Sequence, residues 1–241
     1  MLERTDHVKV SYSLTFDASF HCGSGLSRLL IDRAVRRDFE GHLIVPGSTV
    51  KGTLRDRCEQ LARLFGLEAR SPHDELEALK EYIAPDLLAR LFGSRLRGGA
   101  LYFDDLTMAS EDAALFDVTQ LSQTGERTQV SLSRSTGAAR PKALFSSEFG
   151  FTGLGFMGEI AGHIRDLPLD ESPDSPTYAL LLLLTGLLSL DRMGGNKSTG
   201  FGRCRTEITS LIVNNEPRSV GHWLKRLADL EYADFAREAD E

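Results

Sequence analysis

The densest concentration of chemically capable side chains is "VPGSTVKGTLR" (45–55), where a Pro46–Gly47 break leads into Ser48, Thr49, Lys51, Gly52 and Arg55. Gly47 and Gly52 have the G-x-x-x-x-G spacing with which backbone amides wrap a phosphate. A nucleotide loop then places Lys and Ser or Thr directly after the second glycine. Here Thr53 and Leu54 follow, and Lys51 comes before Gly52. "GGNKSTGFG" (194–202) fails similarly, because Asn196 precedes Lys197. A nucleoside-triphosphatase is rejected on both counts.

Two chemistries remain for the same stretch. Ser48 and Lys51 form S-x-x-K at a helix start, which sets an amine one turn from a hydroxyl it can activate. "KSTG" (197–200) is similar to the late K-T-G of penicillin-binding enzymes, but it carries an extra residue and no S-D-N triplet lies between the two. Serine acyl transfer is therefore the weak alternative. Anion binding demands less: a helix N-terminus offers unpaired amides and a positive dipole end, and Ser48, Lys51 and Arg55 sit about one turn apart, so backbone phosphates can be gripped there. Taken alone, the favoured reading of the same residues is a capped helix start with a solvated lysine.

The elements that must position these groups follow from periodicity. Val8, Val10, Tyr12, Leu14 and Phe16 alternate, the mark of a half-buried strand over 7–16. Val50, Leu54, Cys58, Leu61 and Phe65 recur at helical spacing, with Ser48 as N-cap and Gly66 as stop. A second helical pattern covers 74–92 with a break at Pro85, and "ALYFDDLTM" (100–108) reads as a strand on which Asp104 and Asp105 face opposite sides, unsuited to sharing a metal. Residues 117–140 read as a projecting hairpin or long loop, 142–164 as strand, 178–190 as a buried apolar helix, 200–213 as a last strand and 220–238 as an amphipathic closing helix. Strand, helix, strand, hairpin, strand, helix, strand is the plan of an α+β, ferredoxin-like core with long insertions. That plan hosts many functions, so function rests on sites.

Composition narrows the classes. The 241 residues, 41% hydrophobic, suit one folded unit with long loops. The strongest apolar run, 178–190, falls short of the ~18 residues of a membrane span. The N-terminus shows no apolar signal region, so the expected location is cytoplasmic. Three distant cysteines, Cys22, Cys58 and Cys204, suggest neither a zinc knuckle nor a disulfide framework. The net charge of −7 is segregated. Acid concentrates at 68–86 and 229–241. Base concentrates at Arg28, Arg33, Arg36 and Arg37, at Lys51, Arg55 and Arg57, and at Arg134, Arg140 and Lys142. A local basic track on an acidic protein is compatible with nucleic acid.

Pro46, Gly47, Ser48, Lys51, Gly52 and Arg55 together resemble the "PGSSLKG" helix start of the RAMP superfamily, the RNA-binding proteins of CRISPR effector complexes. "GGNKSTGFGR" (194–203) looks like that superfamily's C-terminal glycine-rich loop, and "ARLFGS" (89–94) followed by "GALYFDDL" resembles the turn before its central strand. The elements stand in the family's order and cover most of the chain, most like the repeated backbone subunit of type III complexes.

That resemblance implies a modified ferredoxin-like, RRM-like core over 1–241 as a single domain, with 117–145 as a thumb and an extra C-terminal helix. It implies guide RNA, target RNA, partner subunits and further copies of the chain as partners. It also implies a catalytic aspartate upstream of the PGS motif and a divalent metal, Mg2+ or Mn2+, for cutting target RNA. In "LLIDRAVRRDFEGHLIVPGS" (29–48), Asp32 matches best. The segment from Asp32 to Pro46 is slightly shorter than the family's, and Asp38 is the substitute candidate. Ser48, Lys51, Arg55, Arg134, Arg140, Lys197 and Arg203 are the expected RNA contacts. The alternatives within the family are a subunit without nuclease activity and a guide-processing endoribonuclease, which commonly relies on a histidine; His21 lies near the loop but is assigned no role.

Overall fold

In the computed structural model, residues 2–23, 25–27, 31–67, 69–70, 83, 85–172 and 174–228 are described, with 141–143 and 226–228 as backbone alone. The strands are β1 (Arg4–Phe16), β2 (Leu101–Phe103), β3 (Thr107–Met108), β4 (Thr124–Leu132), β5 (Ala139–Gly150), β6 (Gly155–Asp166), β7 (Cys204–Val213) and β8 (Glu216–Pro217). The helices are α1 (Gly47–Leu64), α2 (Leu87–Phe92), α3 (Ser110–Thr119), α4 (Tyr178–Leu188) and α5 (Val220–Ala228). Among the described residues the result is a mixed α/β architecture of two antiparallel sheets. One runs β2-β6-β1-β7-β8 with β3 also on β6; the other is the hairpin β4-β5.

Alternation fixes the central sheet. Val8, Val10, Tyr12, Leu14 and Phe16 of β1 are fully buried, while the intervening residues are partly exposed on the other face. Against the buried face lie α1, through Val50, Leu54, Cys58 and Ala62, and α4, nearly all of whose residues are buried. Each fully buried leucine of α4 contributes roughly 2 kcal/mol by leaving water. The two helices meet at Gly186, where a methyl group would stand 2.5 Å from the Cys58 sulfur. All three cysteines are free and buried, and burial pushes the Cys22 and Cys204 thiols up to about 12.

Several expectations change in detail. The strand expected over 100–108 divides into β2 and β3, with Asp104 and Asp105 between them outside the ladder. The strand expected over 142–164 divides at a turn through Thr152 and Gly153 into β5 and β6. Helix α3 was not legible, since its apolar residues make no consistent stripe and none of its residues is fully buried. Most of the helix expected over 74–92 lies outside the described residues; its end is α2, capped by Asp86, which accepts the Ala89 amide at 2.7 Å. The acidic tail and Arg28 also lie outside them.

Candidate nucleic-acid interface

The segment from Asp32 to Arg37 has no helix or strand of its own, yet it is fastened along the free edge of β5. The amides of Asp32 and Arg33 donate to the Ser146 carbonyl at 3.0 and 3.2 Å, and the Glu148 amide donates to the Arg33 carbonyl at 2.9 Å. The Ser146 amide donates to Asp32 Oδ2 at 2.8 Å. Asp32 is exposed, with one carboxylate oxygen held by backbone. Arg33 turns its guanidinium over the Phe145 ring, 4.7 Å from the centroid.

Glu148 locks the next turn of the same segment. Its carboxylate is almost wholly buried, accepting from Arg37 Nη2 at 2.7 Å, Thr124 Oγ1 at 2.8 Å and the Val35 amide at 3.1 Å. Burial alone would raise this carboxyl, but the hydrogen bonds from Arg37, Thr124 and Val35 outweigh it and hold the group below its ordinary value. Asp38, the substitute candidate, is folded into a turn of its own: Oδ1 accepts the Glu40 and His42 amides at 3.0 and 2.9 Å.

The start of α1 is built differently from the expectation. Helix α1 begins at Gly47, with Pro46 in the capping position and no side-chain cap from its own segment. Asp105 supplies the cap from across the sheet, accepting the Gly47 amide on Oδ1 at 2.8 Å. Ser48 is therefore an exposed residue within the first turn, not the N-cap. The reason is steric: Gly47 sits against the chain after β2, where a methyl would lie 2.3 Å from the Phe103 carbonyl oxygen. Asp105 also pairs through Oδ2 with Arg36 at 3.1 Å, so one carboxylate joins the Asp32 segment to the helix start. Lys51 lies 5.9 Å above the Phe103 ring. Arg55 points inward instead, donating to Glu59 at 3.1 Å and to the Gly93 carbonyl, with its side chain 15% exposed.

The glycine-rich loop closes over the same region. The Gly195 amide donates to the His21 carbonyl at 2.9 Å and the Gly202 amide to the Ser19 carbonyl at 2.8 Å. His21 Nδ1 donates in turn to the Glu148 carbonyl at 2.7 Å, so this histidine joins the glycine-rich loop to β5. Lys197, on a single 3-10 turn, and Arg203 are both exposed. Between this loop and α1 is a cleft of about 500 Å³, whose lining includes Asp56, Arg57, Arg192, Lys197 and Ser198.

Arg134 and Arg140 stand apart from these groups. The last pair of the hairpin is Leu132 with Ala139, so both arginines are at its tip and exposed. The side chain of Lys142 is outside the described set. Phe156 is core, packed edge-on to Phe16 and Phe20, while Phe149 contacts Phe151 and Phe201.

Sequence reasoning missed Glu148, Asp105 and His21. Glu148 had a faint signal: a lone carboxylate inside the strand-like "FSSEFGF", where burial demands partners. The partners of Asp105 and His21 are 58 and 127 positions away and left no local trace.

The antiparallel sheet is thus backed by two helices, with a basic helix start and a glycine-rich loop meeting beside it. The RAMP superfamily profile matches residues 13–205, and the chain belongs to that superfamily. Among individual relatives, the CRISPR system Cms endoribonuclease Csm3 of Streptococcus thermophilus is 27% identical over 233 residues, covering 90% of this chain and 96% of that protein. The fold is similar to chains in cryo-EM structures of the Type III-B Cmr-beta complex. The similarity is TM-score 0.52 in the form bound to cognate target RNA and 0.51 in the apo state, at 11% identity and over 83% of this chain in each case.

Proposed function

We propose that this chain is the repeated backbone subunit of a type III CRISPR effector complex, a cytoplasmic ribonucleoprotein, and that it holds guide RNA and cuts paired target RNA through Asp32. The whole chain is then one RAMP domain. Strands β2, β6, β1 and β7, with α1 and α4 in the two crossovers, form the ferredoxin-like, RRM-like core, β4-β5 is the thumb, and 21–45 is the loop bearing the catalytic residue. Its partners are guide RNA, target RNA, other subunits and further copies of itself. The observation that carries this reading is the exposed Asp32 carboxylate, pinned to Ser146 midway along the hairpin, in a member of this superfamily.

RNA carries its own nucleophile, the 2′-hydroxyl, so a nuclease need only hold the scissile nucleotide in line and manage charge and protons. Asp32 therefore acts by orientation, fixed by the Ser146 amide. Among the described residues the one group of three ligand-bearing side chains is Asp38, Glu40 and His42, and Asp32 is not in it. A single carboxylate with one free oxygen fits contact with a hydrated Mg2+ or Mn2+ that keeps most of its waters. Such an ion would neutralise the scissile phosphate. Guide contacts fall to backbone amides and cations, with Ser48, Lys51, Lys197 and Arg203 near the core and Arg134 and Arg140 at the hairpin tip.

The test is reconstitution with the other subunits of its complex and a matched target RNA. Cleavage at regular intervals that disappears with Asp32→Ala, while target binding persists, is the expected result. Unchanged cutting would remove Asp32 from the chemistry, and absence of any cutting in the unaltered complex would leave a guide-binding subunit without nuclease activity.

A further inference from the structure

We propose that Asp38, Glu40 and His42 form a binding site for one divalent transition-metal cation, with zinc the best match, and that Asp117 orients the histidine from outside the coordination sphere. This site is separate from any ion that assists cleavage and does not rest on the RNA-binding reading.

His42 is 8% exposed in its side chain, and its Nε2 lies 2.9 Å from Asp117 Oδ1. A carboxylate only accepts, so Nε2 carries the proton and, in the neutral ring, Nδ1 presents a bare lone pair. That lone pair faces Asp38 Oδ2 at 3.9 Å and Glu40 Oε2 at 3.8 Å. In that tautomer Nδ1 and the two carboxylate oxygens are three converging acceptors. The distances exceed hydrogen-bond range, so a proton placed on Nδ1 would be held by charge alone and by no hydrogen bond at this separation. A cation with bonds of about 2.1 Å to each atom spans such gaps with only small side-chain movements.

The surroundings suit that role. One atom from each of the three residues lies within 4.8 Å of the others. Asp38 is held in place because its other oxygen accepts the Glu40 and His42 amides, which leaves Oδ2 to the site. Glu40, with 60% of its side chain exposed, can swing to close the triangle. A carboxylate accepting the far N–H of a ligating imidazole is the usual support of a metal-bound histidine, and Asp117 on α3 supplies it. One imidazole with two carboxylates favours zinc or a neighbouring transition ion over magnesium. The bound ion would staple the 38–42 turn, which follows the Asp32 segment, to α3.

The test uses the untagged full-length protein stripped with chelator, then titrated separately with Zn2+, Mn2+ and Mg2+ by calorimetry, with metal content and the zinc X-ray absorption edge measured. One equivalent of Zn2+ bound more tightly than Mg2+, with nitrogen and oxygen but no sulfur neighbours, is expected. Glu40→Gln, at an exposed position, should weaken Zn2+ at least about tenfold and leave the metal-free melting temperature unchanged; Asp38→Asn should weaken it similarly. Absence of saturable Zn2+ binding, sulfur in the coordination shell, or unaltered affinity in Glu40→Gln each overturns the site.

Discussion

Asp32 and Ser146 hold each other reciprocally: the Ser146 amide donates to Asp32 Oδ2 at 2.8 Å, and the Asp32 amide donates back to the Ser146 carbonyl at 3.0 Å. The candidate catalytic carboxylate is thus aimed by β5. Positioning of this kind matters because a displacement of about 1 Å can cost roughly 100-fold in rate.

Within an assembled complex, Asp32→Ala should lower the single-turnover rate of target cleavage by at least about 100-fold at positions beside the altered subunit, with the dissociation constant for target unchanged. Asp32→Asn should keep the hydrogen bond from Ser146 and still be slow. A variant of either kind that cuts at the normal rate would contradict the assignment.

Glu148→Gln removes the charge facing Arg37 within a buried network. Its cost at neutral pH is about 2 kcal/mol, or roughly 4–8 °C in melting temperature for a chain of this size. Because the folded-state carboxyl lies below its ordinary value, its contribution is complete above the unfolded value of about 4.3 and fades as pH falls through the lower folded one. The melting curves of wild type and variant should therefore converge in acid; a gap that persists undiminished below that range would show that the charge is not the cause.

Ser48→Ala with Lys51→Ala should weaken retention of guide RNA and reduce the salt dependence of binding by about one unit of slope, because one phosphate-facing cation is lost. Arg55→Ala should behave differently. Its guanidinium holds Glu59 and the Gly93 carbonyl, so the variant should melt about 4 °C lower with little change in that slope. Salt titrations of RNA binding beside thermal melts separate the two.

The glycine-rich loop makes a contrast between neighbours. Gly200 has φ +95° with open space around it, whereas Gly202 has φ +74° and a methyl there would stand 2.0 Å from the Met193 carbonyl oxygen. Gly200→Ala should cost about 1 kcal/mol from the left-handed backbone alone, and Gly202→Ala about 3 kcal/mol or more. Equal losses in denaturant titrations would mean the loop does not close on Met193 as described.

Legibility followed the range of the interactions. Strand β1, α1 and α4 could be read because their burial patterns are periodic. The cap on α1 could not, because Asp105 reaches it from the link between β2 and β3 and local spacing favoured Ser48. Arg55 resembled a surface cation until tertiary contact turned it to Gly93. Asp32 was singled out by resemblance, but the residues that aim it, Ser146 and Glu148, belong to a segment more than a hundred positions away.

Between Ser146 and the start of α1, the chain is tied at Arg33, at Val35, at the Arg37–Leu43 bridge and at the Val45–Leu106 bridge. Only residues 38–42 lie between ties without a partner strand. Changes of loop length between the aspartate and the Pro46–Gly47 break are therefore channelled into that turn, where an inserted or deleted residue leaves the register on β5 intact. Grafting a longer turn there is the one place in this segment where an engineer can lengthen the chain without re-aiming Asp32.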